Sequence, residues 1–194
     1  MVNKVLLLDT SGSMWLYWTN LSFIVKNMYL PMMVGSSDNV AIVSFNEQVF
    51  IKSKYTRDLA SLQTIVDGLS PWGGTAFNDA MLVALVFENP CPDEIHVWSD
   101  YGDNSSCSDG KNYKEKVDEM DVDLILNQPE EWMKSTSVQN YGPITLYPLL
   151  PAAERFVAVE SALVKAKEIA KRVKKAKVIE KPEDLLKLRR VEKK

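Results

Sequence analysis

Short apolar runs separated by stretches of helical periodicity set the frame of this chain. Lys4 to Leu8 is a nearly continuous apolar run, which reads as a strand buried on both faces. Met14 to Leu30 reads as a helix ended near Pro31, since proline removes a backbone donor and crowds the preceding turn. Val40 to Phe45 and Gln48 to Ile51 flank a tight Asn46-Glu47 turn and predict an antiparallel hairpin at one edge of a sheet. Thr56 is placed to cap a helix running to about Leu69, and Thr75 starts another that runs to about Glu88. Glu94 to Ser99 and Val122 to Leu126 are the next strands, with a charged helix from about Asn112 to Met120 between them. A helix over Gln128 to Val138 and a last strand over Ile144 to Tyr147 come next. Ala152 to Val173 then carries Phe156, Val159, Leu163, Ala166, Ala170 and Val173 on one stripe, the spacing of a helix packed on the sheet. Pro182 marks the start of a short final helix, Glu183 to Arg190. Strands alternating with helices predict a doubly wound, Rossmann-like α/β fold. Its sheet is six-stranded and mainly parallel, with one antiparallel edge strand and helices on both faces.

Composition narrows the class. A chain of 194 residues, 46% hydrophobic and 25% charged, can bury the core of one α/β domain. Its longest apolar stretch, Ala80 to Phe87, is far short of the roughly 18–20 residues that span a bilayer. No signal-peptide pattern precedes the first strand, so a cytoplasmic location without membrane association is expected. Cys91 and Cys107 bracket a predicted strand and should lie about 15–20 Å apart, beyond the roughly 7 Å that a disulfide allows. Two free thiols suit a reducing compartment. The net charge of −3 hides a division: residues 1–153 hold 9 Lys and Arg against 19 Asp and Glu, whereas residues 154–194 hold 14 against 7.

Candidate chemistry gathers where parallel strands end. The first strand runs into Asp9-x-Ser11-x-Ser13, Thr75 follows Gly73-Gly74, and Asp100 directly follows the strand ending at Ser99. In an open α/β sheet ligands bind beyond the carboxyl ends of the strands, where strand order reverses. All five side chains are hard oxygen donors, the kind that Mg²⁺ takes, usually with water retained and few carboxylates. Each also has a plainer reading. Asp9 and Ser11 can serve as turn and cap residues, and Thr75 as the first cap of its helix. Trp15, Trp72 and Tyr101 adjoin these loops and either form an aromatic rim for a partner or turn inward over the sheet. Asp103 and Asn104 either extend a metal shell or sit in an exposed turn.

These residues resemble the metal ion-dependent adhesion site of the von Willebrand factor A family. The resemblance covers Lys4 to about Val173. The family's Asp-x-Ser-x-Ser falls on Asp9, Ser11 and Ser13, its threonine on Thr75 and its second aspartate on Asp100. Gly73-Gly74-Thr75 and the segment from Ser99 to Asp103 look most like the intracellular branch. The resemblance implies one domain over residues 1–176, succeeded by a charged, basic tail over 177–194 with a short helix. It implies that the hydroxyls of Ser11, Ser13 and Thr75 touch Mg²⁺, or Mn²⁺ or Ca²⁺ in its place. Asp9 and Asp100 then act largely through water or as anchors. It further implies a non-enzymatic interaction module that binds an Asp or Glu of a partner protein, with an AAA+ ATPase of the MoxR kind as an expected companion.

Other classes fit less well. A phosphotransferase of the haloacid dehalogenase type needs an acid two positions after its first aspartate, where this chain has Ser11. Lys111 stands where a calcium loop of the EF-hand type closes with glutamate. His96 is the sole histidine and lies mid-strand, as a core residue would; no zinc-peptidase motif exists. The basic arm leaves nucleic acid open, but an acidic body with no recognisable binding fold argues against it. The remaining alternative is a structural or assembly subunit that seats its last helix and arm in a neighbour.

Overall fold

Six strands form one sheet in the order β3-β2-β1-β4-β5-β6: β1 Asn3–Asp9, β2 Asn39–Phe45, β3 Val49–Ile51, β4 Glu94–Trp98, β5 Asp123–Asn127 and β6 Ala176–Ile179. The computed structural model describes residues 1–35, 37–134 and 162–191. Every neighbouring pair is parallel except β2 and β3, whose antiparallel register puts Phe45 opposite Val49 across the Asn46-Glu47 turn. The doubly wound, mainly parallel α/β fold with one antiparallel edge strand is therefore what forms.

The central strands are apolar on both faces because helices cover both. One core layer joins Leu6, Leu8, Ile42 and Trp98 to the helices α1 (Trp15–Ile24), α2 (Leu30–Val34), α3 (Leu59–Asp67) and α6 (Pro129–Lys134). The other joins Leu7, Val43, Val97 and Leu126 to α4 (Phe77–Val86), α5 (Gly110–Glu119) and α7 (Ala162–Ala170). Among the described residues no helix is long and apolar enough to cross a membrane. Cys91 and Cys107 are both free and exposed.

The helix expected to stop at Pro31 continues to Val34, through a π turn over Val25–Tyr29. In that register Leu30 N–H donates to Val25 C=O, so the next donor would be the one Pro31 lacks and the orphan acceptor would be Lys26 C=O. Gln63 Nε2 fills the gap, donating to Lys26 C=O at 3.0 Å. The π turn also places Tyr29 under the sheet. Asn127 Nδ2 donates to Tyr29 Oη (2.8 Å), Tyr29 Oη meets His96 Nδ1 (2.6 Å), and His96 Nε2 meets Glu94 Oε2 (2.6 Å). His96 is a core residue, as expected, at 2% exposure.

Smaller expectations shift for local reasons. Asp58, not Thr56, caps α3, accepting from Ser61 N–H; Thr56 instead exchanges backbone hydrogen bonds with Val40. The sixth strand expected at Ile144 to Tyr147 lies outside the described residues, as do the first part of the helix predicted from Ala152 and the end of the one predicted to Val138. The strand beside β5 is Ala176–Ile179, so the expected domain boundary at residue 176 falls inside a strand. Beyond it stands helix α8 (Pro182–Val191), whose Leu185 is buried in the core. Part of the segment expected as a charged, basic tail thus belongs to the sheet.

Candidate metal centre

The loops after β1 and β4 leave the carboxyl edge of two adjacent parallel strands, and hydrogen bonds stitch the loop before α4 to the first of them. Gly12 N–H donates to Gly73 C=O (3.0 Å) and Trp72 N–H to Thr10 C=O (2.8 Å). Gly73 holds φ +75°, a left-handed conformation that side chains rarely adopt. These contacts bring Asp9, Ser11, Ser13 and Thr75 to one edge, with Asp100 arriving from β4.

Asp9 is fully buried at the end of β1. Its Oδ1 accepts from Ser11 N–H (2.8 Å), the local turn that the sequence allows, while its Oδ2 accepts from Ser99 Oγ (2.5 Å). Ser99 Oγ in turn accepts from Tyr101 N–H (2.8 Å), so this serine, which sequence reasoning passed over, locks Asp9 to the loop carrying Asp100. The signal available was its place between the last strand residue and the second aspartate. Asp100 is half-buried, with Oδ1 accepting from Gly102 N–H at 3.0 Å.

Ser11 Oγ and Ser13 Oγ lie 3.1 Å apart. Thr75 is buried, yet its hydroxyl does not cap α4: that helix begins after Ala76 without a side-chain cap. Its first donors go instead to the loop after β4, Asn78 N–H to Asp103 Oδ2 (2.7 Å) and Asp79 N–H to Ser106 Oγ (3.1 Å). The Thr75 hydroxyl makes no hydrogen bond among the described residues. Asp103 is thereby a capping residue.

The electrostatics leave Asp9 without an ion-pair partner among the described residues. Burial, then the repulsion of Asp100, outweigh the hydrogen bonds from Ser11 and Ser99 and raise the Asp9 carboxyl to about 7. Among the described residues no lysine or arginine forms an ion pair with Asp9 or Asp100. A buried carboxylate facing a second carboxylate and uncharged hydroxyls is the donor chemistry of a hard divalent ion. It is a different chemistry from a cluster of three or more His, Cys, Asp and Glu, of which the described residues hold none.

Of the aromatic rim candidates, Trp15 and Trp72 are exposed, at 70% and 52%. Tyr101 is not. Its left-handed backbone (φ +59°) turns the ring under the edge, where it packs against Phe77 and its hydroxyl donates to Asn127 C=O at 2.6 Å. At 6% exposure it is core, because a phenol with a buried carbonyl within reach gains both the apolar contact and the hydrogen bond.

No protein-family model and no curated protein matches the sequence. Solved structures do match. The conserved hypothetical protein BatB from Bacteroides thetaiotaomicron aligns at a TM-score of 0.64 and 16% identity, over 99% of this chain and 97% of that one. The VWA domain of SpRpn10 aligns at 0.54 and 13% identity, over 92% of this chain and 87% of that one. Proximal thread matrix protein 1 from the mussel byssus, in a structure with zinc in its metal ion-dependent adhesion motif, aligns at 0.52 and 16% identity. That match covers 65% of this chain and 35% of that one. At such identities what is shared is the architecture, and it is shared along almost the whole length: the chain has the von Willebrand factor A fold.

Proposed function

We propose that this domain is a divalent-metal-dependent protein interaction module. Asp9, Ser11, Ser13, Thr75 and Asp100 hold the ion, which is Mg²⁺ or, in its place, Mn²⁺ or Ca²⁺. One observation carries this reading: a buried, unpaired carboxylate shares a sheet edge with hydroxyls from two loops and a second carboxylate from a third. The zinc in the adhesion motif of the mussel protein supports it by analogy of fold. When bound, the ion supplies a positive centre that hydroxyl ligands leave poorly neutralised, and so a place for an Asp or Glu carboxylate from a partner. The residues of the chain do the rest. Asp9 and Ser99 fix the first loop, the Gly12 and Gly73 backbones bring the second beside it, and Trp15 and Trp72 offer apolar area beside the junction.

The module is not an enzyme in this reading. Its partner is a protein, with an AAA+ ATPase of the MoxR kind suggested by the resemblance alone, and its place is the cytoplasm. Asp9→Ala should abolish Mn²⁺ binding followed by electron paramagnetic resonance, and with it any partner capture that EDTA reverses. Partner capture that persists unchanged in EDTA, or Mn²⁺ binding that survives Asp9→Ala, would overturn the reading. An assembly role for the last helix as a free arm is less well supported, since β6 and Leu185 of α8 are part of the domain's own sheet and core.

A further inference from the structure

The loop after β4 does more than deliver Asp100. Four residues on, Asn104 grips Thr75 from both sides of its peptide backbone. Thr75 N–H donates to Asn104 Oδ1 at 2.7 Å, and Asn104 N–H donates back to Thr75 C=O at 2.9 Å. Ser105 N–H adds a second bond to the same carbonyl at 3.0 Å, and Ser105 Oγ donates to Asn104 Oδ1 at 2.8 Å, which fixes the amide. The fit is close. A Cβ on Gly74 would run into Ser105 Oγ and come within 3.0 Å of Asn104 Oδ1, so glycine there lets the two loops interlock without moving Ser105. Thr75 spends its whole backbone hydrogen-bonding capacity on this loop and none of its hydroxyl.

We propose that Asn104 is the positioning residue of the metal centre. By holding the Thr75 backbone it aims the Thr75 hydroxyl at the ion and makes the Thr75 and Asp100 loops one unit. This rests on the metal reading above. Outer partners that orient a ligand typically govern metal affinity by about 10–100-fold, and a backbone clamp on a hydroxyl ligand acts the same way. Asn104 holds Thr75 by hydrogen bonds, and it is an exposed residue of the loop. Removing it therefore leaves the core intact.

The test is Mn²⁺ binding by electron paramagnetic resonance, with water-proton relaxation reporting the water on the bound ion, in the full chain and in Thr75→Ala, Asn104→Ala and Asn104→Asp. Thr75→Ala and Asn104→Ala should each weaken binding about tenfold or more and add about one exchanging water to the ion, as a lost protein ligand is replaced. The double variant should be no weaker than either single one. Asn104→Asp, which keeps an acceptor for Thr75 N–H, should restore the wild-type hydration; an added charge alone would change affinity without changing hydration. If Thr75→Ala changes both readouts and Asn104→Ala changes neither, or Asn104→Asp behaves like Asn104→Ala, the positioning role is overturned and the metal centre stands. If Thr75→Ala itself changes neither, both ideas fall.

Discussion

Asp9 carries an unresolved local conflict. Its carboxylate accepts hydrogen bonds from Ser11 and Ser99 but has no ion-pair partner among the described residues, and Asp100 repels it. Buried charge without a partner costs stability, so on the proposed reading the domain without its ion is destabilised at this edge. Asp9→Asn keeps an acceptor for Ser11 N–H and removes the charge. In EDTA it should raise the melting temperature by about 3–6 °C, the equivalent of roughly 1–2 kcal/mol in a domain of this size, while Mg²⁺ no longer adds anything. Differential scanning calorimetry with and without the metal reads both halves. A variant that melts lower in EDTA would show that Asp9 is a stabilising structural residue. Trp72→Ala belongs to the same scale and should behave oppositely. With half its surface already exposed, it should change melting little, by under about 1 kcal/mol, yet weaken partner binding.

At the scale of elements, the polar line under the sheet explains both a surprise and a vulnerability. Asn127, Tyr29, His96 and Glu94 link β5, the π turn and β4, and Lys4 Nζ of β1 closes the line at 3.5 Å from Glu94 Oε2 and 3.0 Å from Asp38 Oδ2. Asn127 Nδ2 donates to Tyr29 Oη, and the His96 ring links that hydroxyl to Glu94 through its two nitrogens. Tyr29→Phe should cost about 1–3 kcal/mol by chemical denaturation, because it strips buried partners and leaves the cavity unchanged. Burial opposes ionisation of Glu94, but the hydrogen bond and charge of His96 and the charge of Lys4 outweigh it and bring the carboxyl down to about 2. A folded value below the unfolded one means that the stabilisation is complete above about pH 4.5 and drains away as the pH falls toward 2. Glu94→Gln should therefore flatten the acid limb of the stability curve in that window and cost stability near neutrality.

The same elements show what the sequence could and could not tell. The Lys4–Leu8 run, the Asn46-Glu47 hairpin and the Asp9-x-Ser11-x-Ser13 spacing were legible because burial and turn chemistry are local signals. Pro31 misled because the missing donor is compensated by Gln63, more than thirty residues away in the chain. Tyr101 stayed open between rim and core because its left-handed turn depends on Ser99 and Asn127, and no pattern in the sequence announces it. Residues 176–179 were hidden by Lys177 and the lysines around them: an edge strand needs only one buried side, and Lys177 is exposed. The grip of Asn104 on Thr75 joins positions whose pairing only the folded chain creates.

For the whole molecule, the C-terminal segment is structural and the proposed metal edge lies apart from it, and the two should separate cleanly. Ending the chain at residue 175 removes β6 and α8, uncovers the β5 edge and takes Ile179 and Leu185 out of one core layer. Such a chain should lose its cooperative thermal transition and aggregate in size-exclusion chromatography; a monomer that melts like the full chain would return these residues to the status of a tail. The metal edge is tested most directly by a crystal soaked in Mn²⁺. The predicted result is an anomalous peak within coordination distance of the Ser11, Ser13 and Thr75 hydroxyls, with Asp9 and Asp100 close behind and one position open to solvent. A well-ordered map with no peak there, and those hydroxyls turned away from one another, would contradict it.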